Sequence, residues 1–301
     1  MTIASLNQAF GLDGQLTFIT GEGGFPLIRV ENRQASALIS VYAGQVLSYR
    51  PAGEAHDLLF VSEAAYYAEG KAIKGGIPVC WPWFGADPEN RGRPAHGFVR
   101  NRAWNVLGTG TTDAGETRIT LGLEATDATR VLWPHEFALS LEILVGNTLS
   151  VTLETQNRGG QAFNVTQALH TYFHTGEIDQ VSVLGLDATD YLDKVGDGSC
   201  KRQSGPVTVT GEVDRIYTGV RYPLVIDDRA LGRRIHIDAA GSTTAVVWNP
   251  WQAIAAGMAD LDDNDYTRFI CVETANAADE VVQVSPGAAC RLSATYRIER
   301  G

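Results

Sequence analysis

The chain has 301 residues, of which 44% are hydrophobic and 20% charged, so it can bury a sizeable core and is not a disordered chain. Its 24 basic and 35 acidic residues leave a formal charge of −11. No Lys/Arg cluster interrupts that acidity, which argues against duplex nucleic acid or an anionic membrane as a partner.

Taken in chain order, the first basic residue is Arg29, so the N-terminus lacks the positive start of a signal peptide. Short runs of strand character follow at residues 15–20 and 37–41. Only residues 61–70 read as a short helix. After a further strand at 118–123, period-two alternation becomes strict: Phe137, Leu139, Leu141, Ile143 and Val145 alternate with Ala138, Ser140, Glu142 and Leu144. Beyond Gly146-Asn147 it resumes with Leu149, Val151 and Leu153, the pattern of a half-buried antiparallel hairpin. Comparable runs occupy 207–213, 234–238, 245–248, 269–274 and 291–298, punctuated by Gly, Asn and Asp. Residues 239–259 carry no charge, but Ser242, Asn249, Pro250 and Gln252 interrupt their apolar character, so they are not read as a lipid-spanning helix.

Many short strands with almost no helix predict an all-β fold, a large antiparallel sandwich. Length alone suggests about two domains. No Pro- or Ser-rich linker divides the chain, however, and one domain over residues 1–301 is the better reading. Cys80, Cys200, Cys271 and Cys290 show no paired spacing and read as reduced thiols of a cytoplasmic protein.

Three stretches exceed what sheet-building requires. Lys74-Gly-Gly-Ile-Pro runs on to Trp81-Pro-Trp-Phe-Gly85, and Ala95-His96-Gly-Phe-Val-Arg100 follows. Gly and Pro fix an irregular backbone there, Trp81, Trp83 and Phe84 offer flat apolar surface for a sugar, and Lys74 and Arg100 add two cations. A core-capping loop with solvated charges explains the same residues. In residues 161–174, Asn164, Thr166, Ala168, His170 and Tyr172 share one strand face, as the wall of a cleft would. A satisfied structural histidine is the alternative, and His170 with His174 is a weak pattern for zinc. Finally, Glu273 lies inside the apolar run 268–276, as a buried acid shifted for proton transfer or as half of a structural salt bridge. No dinucleotide, P-loop, kinase or nucleophile-elbow pattern occurs, which leaves acid/base chemistry on a bound sugar and calls for no cofactor or metal.

Lys74-Gly-Gly-Ile-Pro with Pro82-Trp-Phe-Gly85, His96-Gly-Phe-Val-Arg100, Leu169-His-Thr-Tyr-Phe173, Val247-Trp-Asn-Pro-Trp251 and Cys271-Val-Glu-Thr274 resemble the glucose-6-phosphate 1-epimerases. These hexose-6-phosphate mutarotases are a branch of the aldose 1-epimerase superfamily. The motifs keep the family's order over residues 35–298. The resemblance implies a galactose mutarotase-like β-sandwich, no cofactor, and a small-molecule substrate, an aldohexose 6-phosphate whose α and β anomers are interconverted. It makes His170 and Glu273 the catalytic pair and Lys74, Arg100 and Asp214 substrate-binding residues, with His96 in the matching loop. Some relatives carry Arg in place of Lys74 and Gln in place of Ala95, and Arg91 and Arg93 are further candidate cations. In the expected mechanism an ionised Glu273 takes the proton of the anomeric hydroxyl while a charged His170 protonates the ring oxygen. An aldose 1-epimerase acting on unphosphorylated hexoses and a non-catalytic sugar-phosphate-binding protein are the alternatives.

Overall fold

The computed structural model describes residues 1–300, and strands dominate it. Two large antiparallel sheets carry the architecture. The nine-stranded sheet runs in the order Val207–Thr208, Val181–Leu184, Leu224–Asp228, Arg233–Ala240, Ala289–Arg300, Leu149–Asn157, Phe137–Val145, Thr117–Glu124 and Asn105–Thr111. The predicted hairpin lies within it. Phe137–Val145 and Leu149–Asn157 alternate buried and half-buried positions along their whole length, because period-two apolar spacing puts every second side chain on the core face.

The eight-stranded sheet runs Cys200–Arg202, Asp190–Asp193, Val213–Thr218, Thr244–Asn249, Phe269–Asn276, Gln167–Leu169 and Val79–Cys80, with Tyr172–His174 also paired to Phe269–Asn276. Apolar side chains from both sheets join one core, Ile270 and Val272 from one and Leu153, Leu292 and Tyr296 from the other. Thr171 Oγ1 and the Tyr296 hydroxyl meet across it at 2.7 Å. A four-stranded sheet, Leu16–Thr20, Pro26–Glu31, Ala35–Ser40 and Gln45–Pro51, adds Ile28, Val30, Ile39 and Tyr49 to the same core.

Several expectations change in detail. Residues 61–70 are not helical: Ala64 N–H donates to Ser62 Oγ, while the carbonyls of Ala68 and Lys71 accept the Tyr42 hydroxyl, so these backbone groups find partners outside any helix. The α-helices are Ile3–Phe10, Asp127–Leu132 and Trp251–Ala255. The run 207–213 divides between the two large sheets, Val207–Thr208 in one and Val213–Thr218 in the other. Residues 161–174 form three short strands, yet His170 and Tyr172 keep a common face, their rings stacked.

Strand Phe269–Asn276 is buried at all eight positions. Its even-numbered side chains Ile270 and Val272 enter the sandwich core, whereas Phe269, Cys271 and Ala275 pack into separate clusters on the opposite face. Glu273 shares that opposite face by strand alternation. No helix among the described residues is long and apolar enough to cross a membrane.

Candidate active site

Strand register builds the floor of a cavity on that opposite face. Asp214 pairs with Trp248, Trp248 with Cys271 and Cys271 with Tyr172, so one row crosses four strands. In the next row Ile216 pairs with Val246 and Val246 with Glu273. His170 follows Gln167–Leu169, and its backbone N–H donates to Pro78 O at 2.9 Å, which fixes it beside Glu273.

Two loops form the wall nearest His170, and each depends on glycine. Gly75 has φ +116°, and a Cβ there would lie 2.4 Å from Phe60 O, so only glycine lets the chain carrying Lys74 run so close to its neighbour. At Gly97, φ +73°, a Cβ would lie 1.8 Å from Trp81 O. That contact holds the loop bearing His96 and Arg100 against the backbone of Trp81.

The cavity so enclosed measures about 410 Å³. Lys74, His96, Arg100, His170, Asp214 and Glu273, read from distant parts of the chain, all line it. His170 Nε2 lies 3.3 Å from Glu273 Oε1. The second oxygen, Glu273 Oε2, is buried with no hydrogen-bond partner in the protein. An orphaned acceptor of that kind is costly in a static core, and a hydroxyl-bearing ligand would satisfy it.

Electrostatics follow from burial and the nearby cations. Burial pushes the His170 imidazole well below its ordinary value, with His96, Arg100 and Lys74 pushing the same way. Burial also drives the Glu273 carboxyl well above its ordinary range; Asp214 adds to that and Arg100 opposes it. Both groups are thus drawn toward their neutral forms, where the sequence suggested a charged pair. The two descriptions hold the same number of protons and differ only in which side of the 3.3 Å contact the proton occupies. His96 is pushed down to about 3, by burial first and then by Arg100 and Lys74, and is a neutral imidazole. Its Nδ1 accepts from Gly85 N–H at 3.4 Å, which leaves the Nε2 proton as its donor. Burial raises the Asp214 carboxyl, and Lys194 opposes the shift.

Other readings need correction or addition. Trp81 and Trp83 do not face the cavity: Trp81 packs on Phe98, Trp133 and Phe137 in the core, and Trp83 lies under Arg93. Phe84 and Trp248 supply the aromatic walls instead. Arg93 is held by Asp87 and Glu89, and Arg91 by Glu89, so neither lines the cavity. His174 also stands outside it, with its ring 6.0 Å from that of His56. Sequence reasoning missed Lys194, in the turn after Asp190–Asp193, and Met258, in the loop after Trp251–Ala255; both line the cavity. Their loops have no periodicity to betray them. The nearest signal for Lys194 is its closeness in sequence to a strand that pairs with the one bearing Asp214.

Comparison with known proteins agrees with this geometry. The family described as aldose 1-epimerase matches residues 26–297. A relative from Escherichia coli strain K12, named "Putative glucose-6-phosphate 1-epimerase", is 37% identical over 275 residues, covering 91% of this chain and 90% of its own. The crystal structure of a "putative mutarotase" from Salmonella typhimurium superposes with a TM-score of 0.90 at 33% identity, over 97% of this chain and 96% of that one. A galactose mutarotase-like protein from Clostridium acetobutylicum shares the fold, with a TM-score of 0.74 at 15% identity over 95% and 98% of the two chains. A galactose mutarotase-like sandwich, this length of family match and these relatives lead to one conclusion: the chain belongs to the aldose 1-epimerase family and is an isomerase of sugar anomers.

Proposed function

We propose that the chain interconverts the α and β anomers of aldohexose 6-phosphates, glucose 6-phosphate foremost. The observation that carries this reading is the 3.3 Å approach of His170 Nε2 to Glu273 Oε1 in a cavity that also presents Lys74 and Arg100. When a sugar's anomeric edge enters, the shared proton moves to His170, leaving Glu273 as carboxylate. Glu273 takes the proton of the O1 hydroxyl, the C1–O5 bond breaks, and O5 receives the proton held on His170 Nε2. Carbonyl C1=O1 forms, C1 turns about the C1–C2 bond, and closure on the other face returns both protons along the same route. Each correctly placed acid or base is worth roughly 10²- to 10⁴-fold in rate.

His96, neutral and donating through Nε2, and Asp214, on the far side of the floor, are read as ligands of ring hydroxyls. Lys74 and Arg100 are read as the anchor of the phosphate, since the net charge of −11 otherwise repels a dianion and only contact-range cations overcome it. The relative's printed name supports the choice of a phosphorylated sugar. One domain over residues 1–301 is read from the apolar core, which is continuous from Leu6 to Tyr296. A cytoplasmic setting is read from four unbridged cysteines, a role in carbohydrate metabolism from the sugar substrate proposed above, and no nucleic-acid partner from the net charge of −11.

The test is NMR-detected anomer exchange on glucose 6-phosphate and on free glucose. Replacing both Lys74 and Arg100 by Ala lowers exchange of the phosphorylated sugar by ~10²-fold or more and changes that of glucose little. Equal losses on the two sugars favour an epimerase of unphosphorylated hexoses. Binding of glucose 6-phosphate without faster exchange would make the chain a binding protein and overturn the enzymatic reading.

A further inference from the structure

Three cations line the cavity, Lys74, Arg100 and Lys194, and they are not equally available. Arg100 donates Nη2 to the Ala95 carbonyl at 3.2 Å, a neutral partner that leaves its charge uncompensated. Lys74 is different. Its Nζ lies 3.5 Å from Asp260 Oδ1, with both side chains largely shielded from water, at 17% and 24% exposed. Asp260 does not itself line the cavity and reaches it only through Lys74.

Asp260 is held in place by its surroundings. Ala255 and Leu261 on either side are buried against Phe60, Tyr172, Phe269 and Cys271. Between them, Met258 and Asp260 turn inward while Gly257 and Ala259 are exposed. Met258 Sδ approaches Lys74 Nζ at 3.9 Å, so one short loop grips the lysine at two points. The loop continues into Asp265, which is fully buried and accepts from Ser62 Oγ at 3.1 Å, so that end of the loop is fixed too.

From this geometry we propose that Asp260 is a specificity-determining counterion: it competes with the sugar's anionic group for Lys74 and so sets how tightly the phosphorylated end is held. The inference rests on the phosphate-anchor reading of Lys74 given above. A carboxylate beside the anchor repels the incoming dianion in every bound species alike, the two anomers and the open chain. Its effect is therefore on uniform binding, which moves KM and leaves the chemical step alone. Weakening the anchor speeds release of either anomer, which suits a reaction that runs in both directions with nothing consumed.

The test is Asp260→Asn, with Asp260→Glu as the variant that keeps the charge. In Asp260→Asn, KM for glucose 6-phosphate falls ~3- to 10-fold with no gain in kcat, and the inhibition constant of inorganic phosphate falls by a similar factor. KM for free glucose shifts far less, and Asp260→Glu stays near wild type. An unchanged or raised KM for glucose 6-phosphate in a folded Asp260→Asn protein overturns the proposal, because Asp260 would then be holding Lys74 for the substrate. A wild-type enzyme that treats both sugars alike and ignores inorganic phosphate sinks the anchor reading itself, and this inference with it. The wild-type panel therefore tells the two failures apart.

Discussion

The ring of Tyr172 lies flat on the imidazole of His170, with centroids 4.9 Å apart and planes 14° from parallel. Trp248 closes on both rings edge-on, 6.0 Å from each. The imidazole therefore cannot turn about χ2 without displacing an aromatic neighbour, and its Nε2 edge stays aimed at Glu273. The clamp acts through the ring, not the phenol. Tyr172→Phe is expected to keep near-native exchange, whereas Tyr172→Leu lowers kcat ~10-fold or more with little change in KM. Steady-state kinetics of the two variants separate ring packing from any role of the hydroxyl.

Glu273→Gln removes the proton acceptor while keeping shape and volume. Anomer exchange is expected to fall by about 10²- to 10⁴-fold, and His170→Asn to fall in the same range. Because Glu273 is a buried acid driven toward its neutral form, the amide costs the fold little, and thermal unfolding of Glu273→Gln stays within a few degrees of wild type. Near-native exchange in either variant excludes that residue from proton transfer.

His96 makes folding stability depend on pH. Its imidazole is held down to about 3 in the folded protein from an ordinary 6.5, so the unfolded chain binds the proton first as pH falls. Stability is complete above pH 6.5 and is lost progressively from there toward pH 3, with a slope of ~1 kcal/mol per pH unit from this residue. The shifts of His170 and Glu273 oppose one another in the same balance. Urea titrations of wild type and His96→Asn at pH 7, 6 and 5 are expected to show a shallower decline in the variant. Parallel declines would mean that His96 is protonated in the folded state.

Gly97→Ala tests the wall of the site. The new methyl meets Trp81 O at 1.8 Å in a left-handed backbone conformation, so either the loop or the strand end must move. A loss of ~2–4 kcal/mol in denaturant stability is expected, together with reduced kcat, because His96 and Arg100 flank that glycine. A variant with native stability would show that the loop relaxes freely.

Much of this architecture was legible in the sequence because it obeys short-range rules. Alternation from Phe137 to Leu153 gives a hairpin in its observed register, since a one-residue slip would turn every apolar side chain to the wrong face. Glu273 stood out as a carboxylate in an apolar run, and it is indeed buried, on a strand whose two faces are both covered. Residues 61–70 misled because Ser62 and Gly70 bracket their apolar content as helix caps would, whereas long-range partners such as Tyr42 decide their course. Trp81 and Trp83 misled for the opposite reason: an aromatic cluster looks the same in sequence whether it faces a ligand or a core. Lys194 and Asp260 were invisible because turns bring them to the site, and their partners lie far away along the chain.

A strand enclosed on both sides divides the molecule's freedom to change. Phe269–Asn276 is at once the wall of the hydrophobic interior and the floor beneath the sugar, so drift at its positions damages folding and reaction together. The side chains of Lys74, Arg100 and Lys194, carried on the loops at its rim, bear no such double duty. New substrate preferences within this scaffold should therefore arise by exchanging those rims, while the floor is inherited intact.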